Sequence, residues 1–149
     1  MTGCLCCLGE LTGDRLRLNV LALPLEGVKL PGIAAEDIGK CAYGLFRRGT
    51  GTVGQHFGIA GEVLSGPEMA AKMGRALGRK VTFEDVPFDV YRGLGFPGAE
   101  DIGNMFQFQA ILDDEFVRSR DPERARSLNP ELLSFDAWLQ ANATRVPIA

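Results

Sequence analysis

Apolar and polar positions along the chain change their spacing repeatedly, which predicts strands and helices in alternation. An imperfect apolar alternation over residues 16–23 indicates a buried strand, and Pro24 ends it. A shorter apolar run stops at the Pro31-Gly32 turn. The predicted strands cover residues 16–23, 28–30, 55–60 and 81–86.

Helical spacing fills the stretches between these strands. Glu36 and Asp37 begin the first predicted helix and Arg47 ends it, so its charges have the signs that the helix dipole favours. Ser65 and Glu68 form a capping box at the start of the second predicted helix. The predicted helices cover residues 34–47, 66–77, 87–92, 97–112 and 135–143, and residues 118–127 form a mobile surface loop or a short helix.

The alternation of strands and helices predicts an α/β domain. Its sheet of about four short strands would be small, and we expect it to need a partner on one edge. Two helices have apolar faces that we expect to be buried. These faces are Ile38, Ala42, Leu45 and Phe46 in the first helix, and Met69, Met73, Ala76 and Leu77 in the second.

Composition narrows the class of protein. A chain of 149 residues that is 46% apolar is long enough for one domain with a hydrophobic core. Its net charge of −3 does not favour direct binding to nucleic acid. No apolar run approaches the ~20 residues that span a bilayer, and no basic residue precedes Arg15 as in a signal peptide. We therefore expect a soluble cytoplasmic protein without a membrane partner.

Two motifs resemble patterns that bind a metal ion or a dinucleotide in other proteins. Cys4 and Cys7 spell C-x-x-C with Cys6 between them, and Cys41 and His56 would complete four zinc ligands. A structural zinc site normally has a second pair of closely spaced ligands, which this chain lacks. We therefore assign no metal ligand, and we interpret the cysteine cluster as a reduced N-terminal tail.

The glycines at 49, 51 and 54 fit the pattern G-x-G-x-x-G. In dinucleotide-binding loops a strand precedes this pattern and a helix follows it, so that the helix N-terminus meets the pyrophosphate. Here the predicted helix precedes the glycines and the predicted strand follows them. We interpret them as a helix end and a turn, and assign no cofactor-binding residue.

Several segments occur in an order typical of one family. They read PGIAAEDIG at 31–39, YRGLGFPG at 91–98, NMF at 104–106, LNP at 128–130 and FDAWL at 135–139. With these segments the chain resembles the NmrA-like family, atypical relatives of short-chain dehydrogenases that mostly act as NAD(P)-sensing regulators. The resemblance covers about residues 16–143, so we predict an unmatched tail over 1–15 and an NmrA-like C-terminal lobe over 16–149.

The resemblance implies a fold, and it also shows which of the family's cofactor-binding positions have no match in this chain. Full-length members bind NADP through an N-terminal Gly-rich loop and an arginine, and neither has a matching position here. We therefore expect the small C-terminal lobe of a Rossmann-like protein, with about four short strands and five or six helices, without the dinucleotide-binding half. Asp37 inherits a structural role from the family pattern. NADP is not expected to bind this chain tightly.

The catalytic dyad of active short-chain dehydrogenases is Tyr-x-x-x-Lys, in which the lysine lowers the pKa of the tyrosine. Arg47 and Gly95 stand four residues after Tyr43 and Tyr91, so neither tyrosine has this lysine. His56, the only histidine, falls in a predicted strand and is interpreted as structural. We assign no catalytic residue.

The family's C-terminal lobe covers the cofactor cleft and forms part of the surface for partners or substrate. The matching segments give a candidate surface cluster, and the alternative is that this cluster is interior packing. Its members are Tyr91, Phe96, Pro97, Asn104, Met105 and Phe106. The expected partner is another protein or the missing N-terminal half, with a homodimer as a further option.

The resemblance favours a redox-linked or NAD(P)-linked regulatory, protein-binding module, in the cytoplasm and also in the nucleus. One alternative is part of an NAD(P)-dependent reductase similar to isoflavone reductases. Another is an incomplete gene product without autonomous function. A lobe of this kind should expose apolar surface on strand edges or helix faces.

Overall fold

Short strands form two separate pairs in this α/β structure, so the prediction of a single sheet of about four strands is wrong over the described residues. The computed structural model describes residues 20–146. Strands β1 (Val20–Leu23) and β4 (Thr82–Asp85) pair in parallel, whereas β2 (Leu30–Gly32) and β3 (Glu62–Leu64) pair in antiparallel fashion. Parallel strands need a long crossover, and the β2–β3 pair with its helices lies within that connection.

Helices supply most of the remaining structure, and two short 3₁₀ turns accompany them. Residues 118–127, predicted as a loop or a short helix, contain the end of one helix and most of another. The helices are α1 (Ala35–Arg47), α2 (Gly66–Leu77), α3 (Phe88–Arg92), α4 (Ala99–Ile111), α5 (Asp113–Arg118), α6 (Pro122–Leu128) and α7 (Phe135–Asn142), and the 3₁₀ turns are Gly49–Thr52 and Ala143–Arg145.

Helix α2 begins and ends where its local sequence predicts. The hydroxyl of Ser65 accepts a hydrogen bond from the backbone N–H of Glu68, and the Glu68 carboxylate accepts one from the N–H of Ser65 at 2.8 Å. Gly78 ends the helix with a φ of 64°, in the left-handed region that favours glycine. Gly66 allows a close approach, since a β-carbon there would lie 2.2 Å from the Phe83 ring.

The strand predicted over residues 55–60 is wrong, and its actual counterpart is β3. The preceding 3₁₀ turn continues toward Gln55, whose side-chain amide donates to the carbonyl of Gly51 at 2.8 Å. Pairing with β2 begins only where the N–H of Gly61 donates to the carbonyl of Gly32 at 2.7 Å. His56 consequently lies in an exposed loop rather than in a strand.

The buried face predicted for α1 is partly wrong. Phe46 is 81% exposed and Ile38 is 49% exposed. Helix α1 instead packs on α6 through smaller residues, because Cys41 is fully buried and a β-carbon on Gly44 would lie 2.2 Å from the carbonyl oxygen of Leu128. This close helix contact leaves Ile38 and Phe46 on the exposed side of α1.

The main core lies between the parallel pair and the helices α2, α3, α4 and α7. The predicted stripe of α2 faces this core: Met73 is buried, and its partners pack against the cluster from the edge. A second, smaller cluster joins α1 to α6. The main cluster contains Leu21, Leu23, Leu25, Ala70, Met73, Val86, Phe88, Tyr91, Phe106, Leu139 and Val146, and the second contains Cys41, Ala125, Leu128 and Leu132.

Candidate functional site

The candidate surface cluster divides into an interior part and an outer part. Tyr91 of α3 is fully buried, and its ring meets those of Phe96 and Phe106 edge-on at centroid distances of 5.8 and 5.9 Å. Phe106 is buried as well, whereas Phe96 is half-buried. Such T-shaped contacts stabilise packed aromatic groups. These three rings fix α3 against α4.

The other three candidates, Pro97, Asn104 and Met105, are exposed. The carbonyl oxygen of the Asn104 side chain accepts a hydrogen bond from the guanidinium of Arg92 at 3.2 Å. Arg92 also donates to Gln107 at 2.8 Å. An arginine of α3 therefore extends across the surface of α4 beside the exposed members of the cluster.

Helix α4 carries an apolar stripe on its exposed side. Met105, Phe108 and Ile111 recur every third residue, and all three are exposed. Of these three residues, only Met105 belongs to the candidate surface cluster. The regular spacing of the three residues is nevertheless visible in the sequence. The structure thus has exposed apolar surface on one face of this helix.

Two of the family-like segments meet at a buried carboxylate. Asp37, which is fully buried, accepts hydrogen bonds from the side-chain amide of Asn129 at 2.9 Å and from the backbone N–H of Leu133 at 2.8 Å. The ammonium of Lys40 lies 3.7 Å from the same carboxylate. The satisfied carboxylate joins the start of α1 to the loop before α7, which is a structural role.

An ionic network joins β3, α2 and α7. The ammonium of Lys72 donates to Glu62 at 2.8 Å and to Asp136. The hydrogen bonds to Asp136 and Glu62 raise the pKa of Lys72, and the bond from Lys72 lowers the pKa of Asp136. Arg75 reaches Asp136 at 3.3 Å. Because the ammonium keeps its proton, Lys72 is unsuited to act as a base or nucleophile.

The glycine pattern at 49–54 lies after a helix, in a 3₁₀ turn. Gly49 and Gly54 have φ values of 70° and 75°, and the hydroxyl of Thr52 donates to the carbonyl of Gly49 at 3.0 Å. No helix follows within the next ten residues, so no helix N-terminus faces this turn. The geometry agrees with a helix end and a turn.

Cys41 is the cysteine that falls within the described residues, and Cys4, Cys6 and Cys7 lie outside them. Burial and the nearby carboxylate of Asp37 raise the pKa of the Cys41 thiol, which disfavours the nucleophilic thiolate. Over residues 20–146 no three potential metal ligands come together. No helix in the same range is long and apolar enough to cross a membrane.

The sequence model of the NmrA-like family matches residues 10–139, and the chain belongs to that family. The match begins inside residues 1–15, which the sequence analysis predicts to be an unmatched tail, and the division at 15/16 stays a prediction.

Solved structures share the fold. NmrA, described as a negative transcriptional regulator in complex with NADP, is 19% identical and superposes with a TM-score of 0.61, over 88% of this chain and 44% of NmrA. A nucleoside-diphosphate-sugar epimerase from Staphylococcus aureus gives 16% identity and a TM-score of 0.70, over 85% of this chain and 45% of the epimerase. A triphenylmethane reductase from Citrobacter sp., complexed with NADP(H), gives 13% identity and a TM-score of 0.63, over 86% of this chain and 45% of the reductase.

The chain therefore spans less than half the length of these solved structures. At such low identity the likeness establishes the fold, a Rossmann-type α/β arrangement. The predicted resemblance to the NmrA-like family and the predicted fold class are confirmed.

Proposed function

We propose that this chain is a regulatory, protein-binding lobe that works together with a dinucleotide-binding half, supplied by the same polypeptide or by a partner. The observation that carries the proposal is the parallel pair of β1 and β4. Over residues 20–146, each of these strands has the other as its single neighbour. Parallel strands occur almost entirely in larger sheets whose two faces are covered.

Burial indicates on which side the sheet continues. In β1, Leu21 and Leu23 are buried, and Val20 and Ala22 on the opposite face are half-buried. In β4 only Phe83 is half-buried, and the other residues are exposed. A polar outer strand is typical of a natural sheet edge, whereas an apolar outer strand is not. The dinucleotide-binding half would extend the sheet from β1.

The chemistry of the described residues favours regulation over catalysis. Tyr43 and Tyr91 lack the lysine of the dehydrogenase dyad, Lys72 is held as an ammonium, and burial suppresses the Cys41 thiolate. The similarity to NmrA, a regulator solved with NADP, supports the same conclusion. In this proposal the partner half holds the NADP, and the lobe reports its presence by protein contacts in the cytoplasm and nucleus.

A second candidate is the lobe of a reductase. It is favoured by the similarity to triphenylmethane reductase, whose TM-score of 0.63 is close to the 0.61 of NmrA. In that case the partner half would supply the catalytic groups along with the cofactor. The two candidates differ in whether the assembled protein oxidises NADPH.

The test uses a photo-crosslinking amino acid at Ala22 of β1, with the same amino acid at Glu123 of α6 as the exposed control. A covalent crosslink from Ala22 to a dinucleotide-binding half, within the same polypeptide or to a partner, but none from Glu123, is the expected result in cells that make the chain. Equal capture from both positions would contradict the proposal. Consumption of NADPH by the captured assembly would favour the reductase.

A titration with NADPH complements this test. Trp138 is the only tryptophan and lies in α7 at the main core, so its fluorescence reports on this lobe. Without the partner half, the chain should show no saturable change in fluorescence. Micromolar binding would show that the lobe has a cofactor site of its own and would overturn the assignment of NADP to the partner half.

A further inference from the structure

The solvent side of α1 carries a stripe that the fold leaves uncovered. Ala35, Gly39, Tyr43 and Phe46 are spaced by four, four and three residues, which places them on one face of the helix. All four are exposed, Tyr43 by 65%. This face lies opposite the one that packs on α6 through Cys41 and Gly44. Exposed aromatic side chains at helical spacing are typical of a surface that binds another protein.

The stripe changes in size along the helix. Its N-terminal half consists of Ala35 and Gly39, and no atom lies within 4 Å of the position that a β-carbon on Gly39 would take. Its C-terminal half consists of Tyr43 and Phe46. If a second copy of α1 packs antiparallel on the first, the aromatic half of each helix therefore lies over the small half of the other. Such a contact is self-complementary and closes as a two-fold dimer.

Charges beside the stripe follow the same symmetry. Glu36 lies near the start of α1 and Arg47 at its end, both on the same flank of the stripe. Neither forms an ion pair within residues 20–146. An antiparallel copy brings Glu36 of each chain to Arg47 of the other. Lys40, between them on that flank, is already held 3.7 Å from both Asp37 and Glu131.

From this complementarity we infer that α1 is the interface of a homodimer, in which the stripe formed by Ala35, Gly39, Tyr43 and Phe46 packs antiparallel on its copy. The dimer is a different contact from the extension of the sheet at β1, and it does not depend on that proposal. It pairs two lobes, and hence two partner halves, across one two-fold axis. Exposed ion pairs contribute little affinity, so their role is to set the orientation of the two helices.

The first experiment is sedimentation velocity of the whole chain over a range of concentrations. A reversible dimer is expected in the micromolar range. Phe46→Glu should weaken it by roughly a hundredfold, because it removes one of the two aromatic groups of the stripe and buries a charge. Ile111→Glu, at an exposed apolar position of α4, is the matched control and should leave the dimer unchanged. A chain that is still monomeric at about 100 μM would overturn the inference, because a weak but specific dimer has a dissociation constant on the order of this concentration or below.

The second experiment tests the antiparallel orientation by charge reversal. Glu36→Arg and Arg47→Glu should each weaken self-association by about tenfold, since each change places like charges together twice in the dimer. The two variants mixed together should form a heterodimer of near wild-type affinity, and the double variant E36R/R47E should regain self-association. A surface made for another partner would show neither recovery. Absence of recovery would therefore overturn the inference, whereas failed folding of one variant would be visible in its circular dichroism and is bypassed by the double variant.

Discussion

The buried carboxylate of Asp37 and the side-chain amide of Asn129 form a hydrogen bond of 2.9 Å across 92 residues of sequence. Both residues belong to segments that mark the family, PGIAAEDIG and LNP. The second carboxylate oxygen accepts from the N–H of Leu133 at 2.8 Å. The carboxylate of Asp37 therefore holds α1 to the loop that leads into α7. Its role is structural and not catalytic.

Replacing Asp37 by alanine should destabilise the fold by about 3 kcal/mol, because it leaves two buried N–H donors without an acceptor. Urea unfolding followed by circular dichroism measures the loss. Glu131→Ala is the matched control, since this carboxylate also approaches Lys40 at 3.7 Å but is exposed. Its cost should stay below about 0.5 kcal/mol. Equal losses in both variants would contradict the structural role of Asp37.

Lys72→Met should lower stability most in the middle of the pH range. The folded pKa of Asp136 lies below its ordinary value of 3.8, so this carboxylate stabilises the fold above that pH and less as the pH falls through the folded pKa. The folded pKa of Lys72 lies above its ordinary value of 10.5, so its contribution is complete below that value and is lost as the pH rises through the folded pKa. The stability difference between wild type and variant should therefore narrow at both extremes.

This pattern is tested by measuring urea midpoints from about pH 3 to about pH 11, a range that includes the ordinary pKa values of aspartate and lysine. Arg75→Met is the control, because Arg75 reaches the same carboxylate but is mostly exposed. Its effect should be smaller at every pH. A Lys72 effect that does not change with pH would show that the lysine acts through packing of its methylene groups instead.

Two neighbours in α4 should respond very differently to truncation. Phe106→Ala removes a buried ring that contacts Tyr91 edge-on, and should cost roughly 3–5 kcal/mol. Met105→Ala removes an exposed side chain, and should cost less than about 0.5 kcal/mol. Thermal unfolding of both variants distinguishes them. A large loss for Met105 would place it in the interior, against the structure.

Gly44→Ala should destabilise the chain even though alanine is the better helix former. A β-carbon would lie 2.2 Å from the carbonyl oxygen of Leu128, so α1 and α6 would have to separate. The cost should be about 1–3 kcal/mol, as for overpacking elsewhere. Gly39→Ala is the matched control in the same helix and has open space. At concentrations too low for association it should stabilise the fold by about 0.5–1 kcal/mol.

The sequence predicts an element most accurately where the residues that determine it lie within one helical turn of each other. The capping box of Ser65 and Glu68 with Gly78 at the other end predicted both limits of α2, because these groups satisfy the helix ends without help from the rest of the chain. The strand predicted over 55–60 failed since its pairing depends on Gly32, a residue remote in sequence that bonds to Gly61 instead.

The orientation of α1 shows a different limit. Its sequence has apolar residues on more than one side, and size alone favours burial of Phe46 over Cys41 and Gly44. The close approach of α6 reverses this order, because a helix pair gains more contact through small residues. The candidate cluster could be named from the family-like segments. Its division into buried rings and exposed Asn104 and Met105 follows from how α3 lies on α4, which no single segment encodes.

The parallel pairing of β1 with β4 also bears on how fast the lobe folds. Val20 pairs with Thr82, and α1, the β2–β3 pair and α2 all lie between these two residues in the sequence. Contacts of such high sequence separation give a high contact order, and the loop entropy is lost before the contact forms. We therefore expect the β1–β4 pair to be among the last parts of this structure to become protected during refolding. In the proposed assembly, a dinucleotide-binding half that offers β1 a neighbouring strand would act as a template for that step.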